Sequence, residues 1–216
     1  MTIESSKNLG GIGALLLFIG AIPVVPYLWV VAAVGVILIL IALNGFANFY
    51  KERGIFSNAL YGVLAGIVGA VVAAIVAFAV ILVNIEDFLY ELYPGWTGDL
   101  SSIQGLTPDM SNFDPTTIFP LIAGMLIVIA VVWIFSIIAA FFVRRSLNQV
   151  SNKTSTGLFG TAGLLLLIGA ALTIVGIGVI LMWIAALLLA IAFFTMKVMG
   201  TAPAPESYYP PPPTPV

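Results

Sequence analysis

The chain has 216 residues, 62% of them hydrophobic and 7% charged, where a soluble domain carries about 25% charged residues. It contains no Cys and no His, which removes disulfides, thiolate chemistry, imidazole metal ligation and histidine acid–base work. The formal charge of −2 comes without a basic tract, so nucleic acid is not an expected partner.

Lipid is therefore the expected solvent, and six apolar stretches predict an all-α polytopic membrane protein. Residues 1–7 are a polar leader in which Ser5 and Ser6 are placed to cap a helix. The predicted helices cover about 8–22, 27–46, 56–83, 118–143, 158–175 and 177–198. Pro23 and Pro26 stop the first of these. A hydrocarbon core of about 30 Å needs about 20 helical residues, which leaves helix one short for a complete crossing. Asn84 to Thr117 is an outer loop, whose opening residues Ile85, Phe88, Leu89 and Leu92 have the spacing of a short interfacial helix. Tyr90, Tyr93 and Trp96 suit a headgroup zone. Thr116 or Thr117 is positioned to cap helix four, which is expected to stop at Arg144-Arg145 before a polar turn over 146–157. Residues 1–200 thus form one six-helix transmembrane domain, and 201–216, with Pro210 to Pro213, form a Pro-rich cytoplasmic tail able to dock on a protein partner.

The two ends of the chain resemble each other. Leu9 to Ala21 aligns without a gap on Leu158 to Ala170, and eight of the thirteen positions are identical. Each block runs through a breaker, Pro23 to Pro26 or Gly176 to Gly178, into a second apolar run. Related N- and C-terminal helical hairpins are the expectation, running parallel about a pseudo-two-fold axis along the membrane normal.

All seven basic residues (Lys7, Lys51, Arg53, Arg144, Arg145, Lys153 and Lys197) fall on one side of a six-helix path. Glu86, Asp87, Glu91, Asp99, Asp109 and Asp114 lie in the loop on the other side. The positive-inside tendency then places a multi-pass protein in the cell membrane with both termini cytoplasmic and loop 84–117 extracellular.

The leader Glu4-Ser-Ser-Lys-Asn-Leu-Gly-Gly-Ile-Gly13, the turn Phe49-Tyr-Lys-Glu-Arg-Gly-Ile-Phe-Ser-Asn-Ala-Leu-Tyr-Gly62 and Arg144-Arg-Ser-Leu147 resemble an uncharacterised family of archaeal and bacterial integral membrane proteins, domain of unknown function 996. The resemblance covers about residues 3–198. It implies a multi-spanning prokaryotic protein, archaeal in origin, and carries over no activity, ligand or catalytic residue.

Two groups of residues are candidate contact sites. On helix three, Gly62, Gly66, Ala70 and Ala74 recur every four residues beside a row of Gly69 and Ala73. Such small residues let a second backbone approach in lipid, either from another copy or from the protein's own bundle. In the outer loop, Asp87 and Glu91 are spaced i, i+4, and Asp109 and Asp114 could join them around a hard cation or simply form a solvated acidic surface. No ionisable residue lies inside a predicted helix core, and the few hydroxyls there, Ser136, Thr161, Thr173 and Thr195, are expected to bond their own helix carbonyls. No cofactor or catalytic set is predicted. A non-enzymatic structural or accessory component of a membrane assembly, as homo-oligomer or complex subunit, is the first reading. A pore or carrier for a small neutral or apolar solute is the second, and a polar cavity open to one side would favour it.

Overall fold

The computed structural model describes residues 2–22, 27–111 and 114–196. Among these the chain is helical, with α1 at Ile3–Gly20, α2 at Leu28–Phe49, α3 at Arg53–Leu92, α4 at Phe119–Thr154, α5 at Gly157–Leu172 and α6 at Ile177–Thr195. Five of the six, α1 excepted, are long and apolar enough to cross a membrane. The Pro23–Pro26 breaker, Lys197 and the tail from 201 onward lie outside the described residues.

Each helix packs on its neighbours in the chain, and α6 returns to α1, so the six close into a ring of three antiparallel hairpins. Within α1–α2 the backbones touch: a Cβ on Gly13 would lie 2.7 Å from the carbonyl oxygen of Gly35. In α5–α6 a Cβ on Gly178 would collide with the carbonyl oxygen of Gly169. Two tryptophans join hairpin to hairpin. Trp183 Nε1 donates to the Phe18 carbonyl at 2.9 Å while its ring stacks on Phe18 at 4.4 Å, and Trp133 Nε1 donates to the Ala171 carbonyl at 3.0 Å.

The buried core sits at one end of the ring, the end that also collects the described basic residues. Phe193 lies 5.9 Å from Phe46 and 5.0 Å from Phe159, ring to ring, and Ile55, Leu147, Val150 and Met196 complete the plug. Lys7 Nζ donates to the Met196 carbonyl at 3.0 Å, tying α1 to the end of α6. Lys153 pairs with Glu52 at 3.4 Å. Away from this end, α3 and α4 expose large apolar side chains along most of their length, which is stable only where the surroundings are apolar too.

Several helix ends differ from the sequence expectation. Helix three starts at Arg53 and runs through residue 83 to Leu92, because the Asn84 side chain bonds the Val80 carbonyl at 2.7 Å and leaves the backbone ladder intact. The interfacial segment 85–92 is thus its last two turns. Helix four continues past Arg144-Arg145 to Thr154. Arginine is a good helix former, and Ser146, Leu147, Val150 and Thr154 are buried in the core end; Ser146 Oγ donates to the Ile55 carbonyl at 2.6 Å. Helix one begins at Ile3 with Thr2 as its cap, rather than Ser5 or Ser6; Thr2 Oγ1 accepts from the Ser5 N–H at 3.2 Å. Asp114, not Thr116 or Thr117, caps the entry to helix four. It accepts from the Thr116 N–H at 2.9 Å and opens a 3-10 turn over Pro115–Ile118.

Two turns at the core end adopt left-handed backbone at non-glycine residues, Lys51 (φ 52°) and Ser155 (φ 51°). At the first, the Glu52 N–H reaches back to the Ala47 carbonyl at 2.9 Å, closing the six-to-one bond of a Schellman motif with Lys51 where glycine is usual. The α5–α6 turn places Gly176 in the same region, φ 82°.

Candidate functional site

The small residues of α3 divide between two faces. Gly62, Gly69 and Ala73 are buried. A Cβ on Gly62 would meet the Ala139 carbonyl oxygen at 2.9 Å, and one on Gly69 would collide with Phe135 Cβ. This face seats α4 inside the same molecule. Gly66, Ala70 and Ala74 are exposed, and no heavy atom lies within 4 Å of where a Gly66 Cβ would stand. Their every-four spacing advances about 40° per step around a 3.6-residue helix, so the row drifts off the α4 contact.

That drift carries the row toward the axis of the ring. A cavity of about 180 Å³ lies there, lined from every helix: Leu17 of α1, Leu40 of α2, Val63 of α3, Val143 of α4, Leu166 of α5 and Leu189 of α6. No polar side chain lines it. Leu43, Ala59, Leu147 and Leu189, each at most 3% exposed, form its closed floor toward the phenylalanine plug. Ala59 and Val63 belong to its α3 wall. Gly66 and Ala70 stand seven residues further on from them, two turns up the same face. Between α2 and α3 lies the sparsest contact in the ring.

At the opposite end, the four acidic candidates do not form one cluster. Asp87 and Glu91 border a surface cleft of about 350 Å³ together with Asn84, Tyr90, Thr117 and Pro120. Glu91 Oε1 accepts from the Asp114 N–H at 2.6 Å, fastening the loop to the end of α3. Asp109 and Asp114, like Asp99, each accept from the residue two places on. Hydrogen bonds from the Ser101 and Ser111 hydroxyls and N–H groups hold the Asp99 and Asp109 carboxyls below the usual carboxylate range, and the Thr116 N–H and hydroxyl do the same for Asp114. Among the described residues no group of three or more acidic side chains is set to hold a metal ion. These aspartates build turns. Trp96 is packed beside Tyr90, ring to ring 4.8 Å, and donates to the Asp99 carbonyl at 2.7 Å.

Among the helix hydroxyls, Thr161, Thr173 and Thr195 donate to the carbonyl four residues back and Ser136 to that three back, whereas Ser146 crosses to α3. The cavity lining carries no sequence signature, because its residues are ordinary Leu, Ile, Val and Ala scattered over 17–189.

A ring of long apolar helices around an apolar axis, with its described basic residues at one end and six of its acidic residues at the other, is the profile of a multi-pass helical membrane protein. The chain belongs to the family of proteins of unknown function DUF996, whose match spans residues 31–187. It is also similar to Uncharacterized protein MJ1644 of Methanocaldococcus jannaschii, with 31% identity over 198 residues that cover 91% of this chain and 94% of the relative. No solved structure matches at a significant level.

Proposed function

We propose that the protein is a non-enzymatic, structural or accessory component of a membrane assembly in the cell membrane, with six spans and both termini cytoplasmic. The observation that carries this reading is the bundle interior. Apolar side chains from all six helices line it, and the Ser136, Thr161, Thr173 and Thr195 hydroxyls are engaged by their own helices while Ser146 is engaged by the Ile55 carbonyl, so among the described residues neither a charge relay nor an activated nucleophile is built there. Contacts with partners, or with further copies, then fall to the outer acidic cap, the exposed face of α3 and the Pro-rich tail. The M. jannaschii relative supports an archaeal source.

Gly20 and Gly169, equivalent in the aligned blocks, both lie against the backbone of the second helix of their hairpin, Gly20 at Ala32 and Gly169 at Gly178. This equivalence supports a common origin for the two hairpins. In the ring the two hairpins are neighbours, in contact through α1 and α6. The second functional reading, a pore or carrier for a small neutral or apolar solute, calls for a polar cavity open to one side, whereas the cavity lined by all six helices is apolar, which counts against transport of any solute that needs a hydrogen bond. Co-purification from native membrane in gentle detergent tests the first reading: a stoichiometric partner or defined homo-oligomer is the expected result, and a lone monomer at native expression would overturn it.

A further inference from the structure

We propose that the axial cavity is a binding site for a single hydrocarbon chain of a membrane lipid, admitted along the Gly66–Ala70–Ala74 track of α3. The inference rests on the cavity and is independent of the accessory role.

Two observations define the ligand, the lining and the volume of the cavity. The lining is apolar on all sides, and a water needs two to four polar partners to stay in such a place, so the space is dry when empty. An empty void forfeits the dispersion contacts of every side chain around it, which leaves the lining groups favouring an apolar guest. At about 180 Å³ the space resembles apolar cavities that take a small hydrocarbon. It is far too small for a helix about 10 Å across, which rules out a helix of a second copy as the occupant.

The route follows from the same face of α3. Above the cavity wall at Ala59 and Val63 the helix presents Gly66, Ala70 and Ala74, all exposed. With no side chain beyond Cβ on this strip, and with α2 and α3 in the sparsest contact of the ring, an extended acyl or isoprenoid chain can lie against the α3 backbone with its end in the cavity. Toward the core end Phe46, Phe159 and Phe193 close the path. The arrangement is a blind socket, not a channel.

The test uses the full chain in nanodiscs of a phosphatidylcholine carrying a diazirine at the end of one acyl chain. Irradiation followed by peptide mapping should place adducts on cavity residues such as Val63, Leu40 and Leu166 as well as on lipid-facing Ile67 and Ile129. Val63→Trp, which fills the socket, should lose the cavity adducts and keep those at Ile67 and Ile129. Leu40→Ala, which enlarges it, should gain cavity adducts, and so serves as the readout if the tryptophan variant does not fold. Labelling confined to the outer faces of the wild type, or cavity labelling unchanged in both variants, would overturn the proposal. So would peptide cross-links joining Val63 to a second copy with no lipid adduct at that position.

Discussion

Gly66 and Gly69 stand three residues apart on one helix, and the structure assigns them opposite responses to the same substitution. Replacing either by Ala gains about 0.5–1 kcal/mol of helix propensity, and that gain cancels when the two variants are compared. What remains is contact. At Gly66 the new methyl enters open space, whereas at Gly69 it would overlap Phe135 Cβ. The obstructing atom is the root of a side chain and cannot swing away, so α3 and α4 must separate. Overpacking of this kind costs about 1–3 kcal/mol. Gly69→Ala should therefore be less stable than Gly66→Ala by about 1–3 kcal/mol, with Gly66→Ala at or slightly above wild type. Reversible unfolding by SDS in mixed micelles, followed by tryptophan fluorescence, measures both. Equal stability of the two variants would refute the division of α3 into an α4-facing and an open face. The larger Gly66→Ile adds a second use: it should leave the monomer folded, and any loss of self-association would locate an oligomer contact on the open row.

Further outcomes follow from single contacts. Lys51→Gly should raise stability by about 1 kcal/mol, because the left-handed backbone at this turn costs an L-residue about that much; no gain in the same SDS titration would contradict the cap geometry. Phe193→Ala should cost about 3–5 kcal/mol, the usual range for emptying an aromatic site in a core, since Phe193 is fully buried between Phe46 and Phe159; a near-neutral melt would mean the plug is not packed. The Asp99, Asp109 and Asp114 carboxyls titrate below their unfolded value when the cap is formed. Their contribution is therefore complete above the ordinary carboxylate range and is lost as pH falls through the lowered folded values. The protection factors of the Ser101, Ser111 and Thr116 amides, which divide out the intrinsic pH dependence of exchange, should fall on acidification through that window and stay flat from pH 5 to 8; a change centred near neutrality would contradict this.

The all-helical, multi-pass character was legible because composition and run length report the solvent directly. The tips of the helices were legible where a breaker stood, as at Gly176, whose left-handed turn no other residue makes as cheaply. The polar residues Asn84 and Arg144-Arg145 mark a change of surroundings along a helix, which in the sequence alone looks the same as a helix end. What continues α4 to Thr154 is burial of Leu147 and Val150 against other helices, a tertiary effect with no local trace. The small-residue spacing on α3 pointed to a close contact without saying which glycines make it, since Gly66 and Gly69 look alike until α4 is in place. The axial cavity needed all six helices placed at once.

The proposed topology puts the acidic and basic ends of the bundle on opposite sides of a membrane. The chain has no cysteine of its own, so a single introduced thiol reports its side without background. Met110, exposed in the acidic cap, and Asn152, exposed on the last turns of α4, are the positions to use. Met110→Cys should react with a membrane-impermeant maleimide on intact cells, and Asn152→Cys only after permeabilisation. Reaction of both from the same side would contradict the claim.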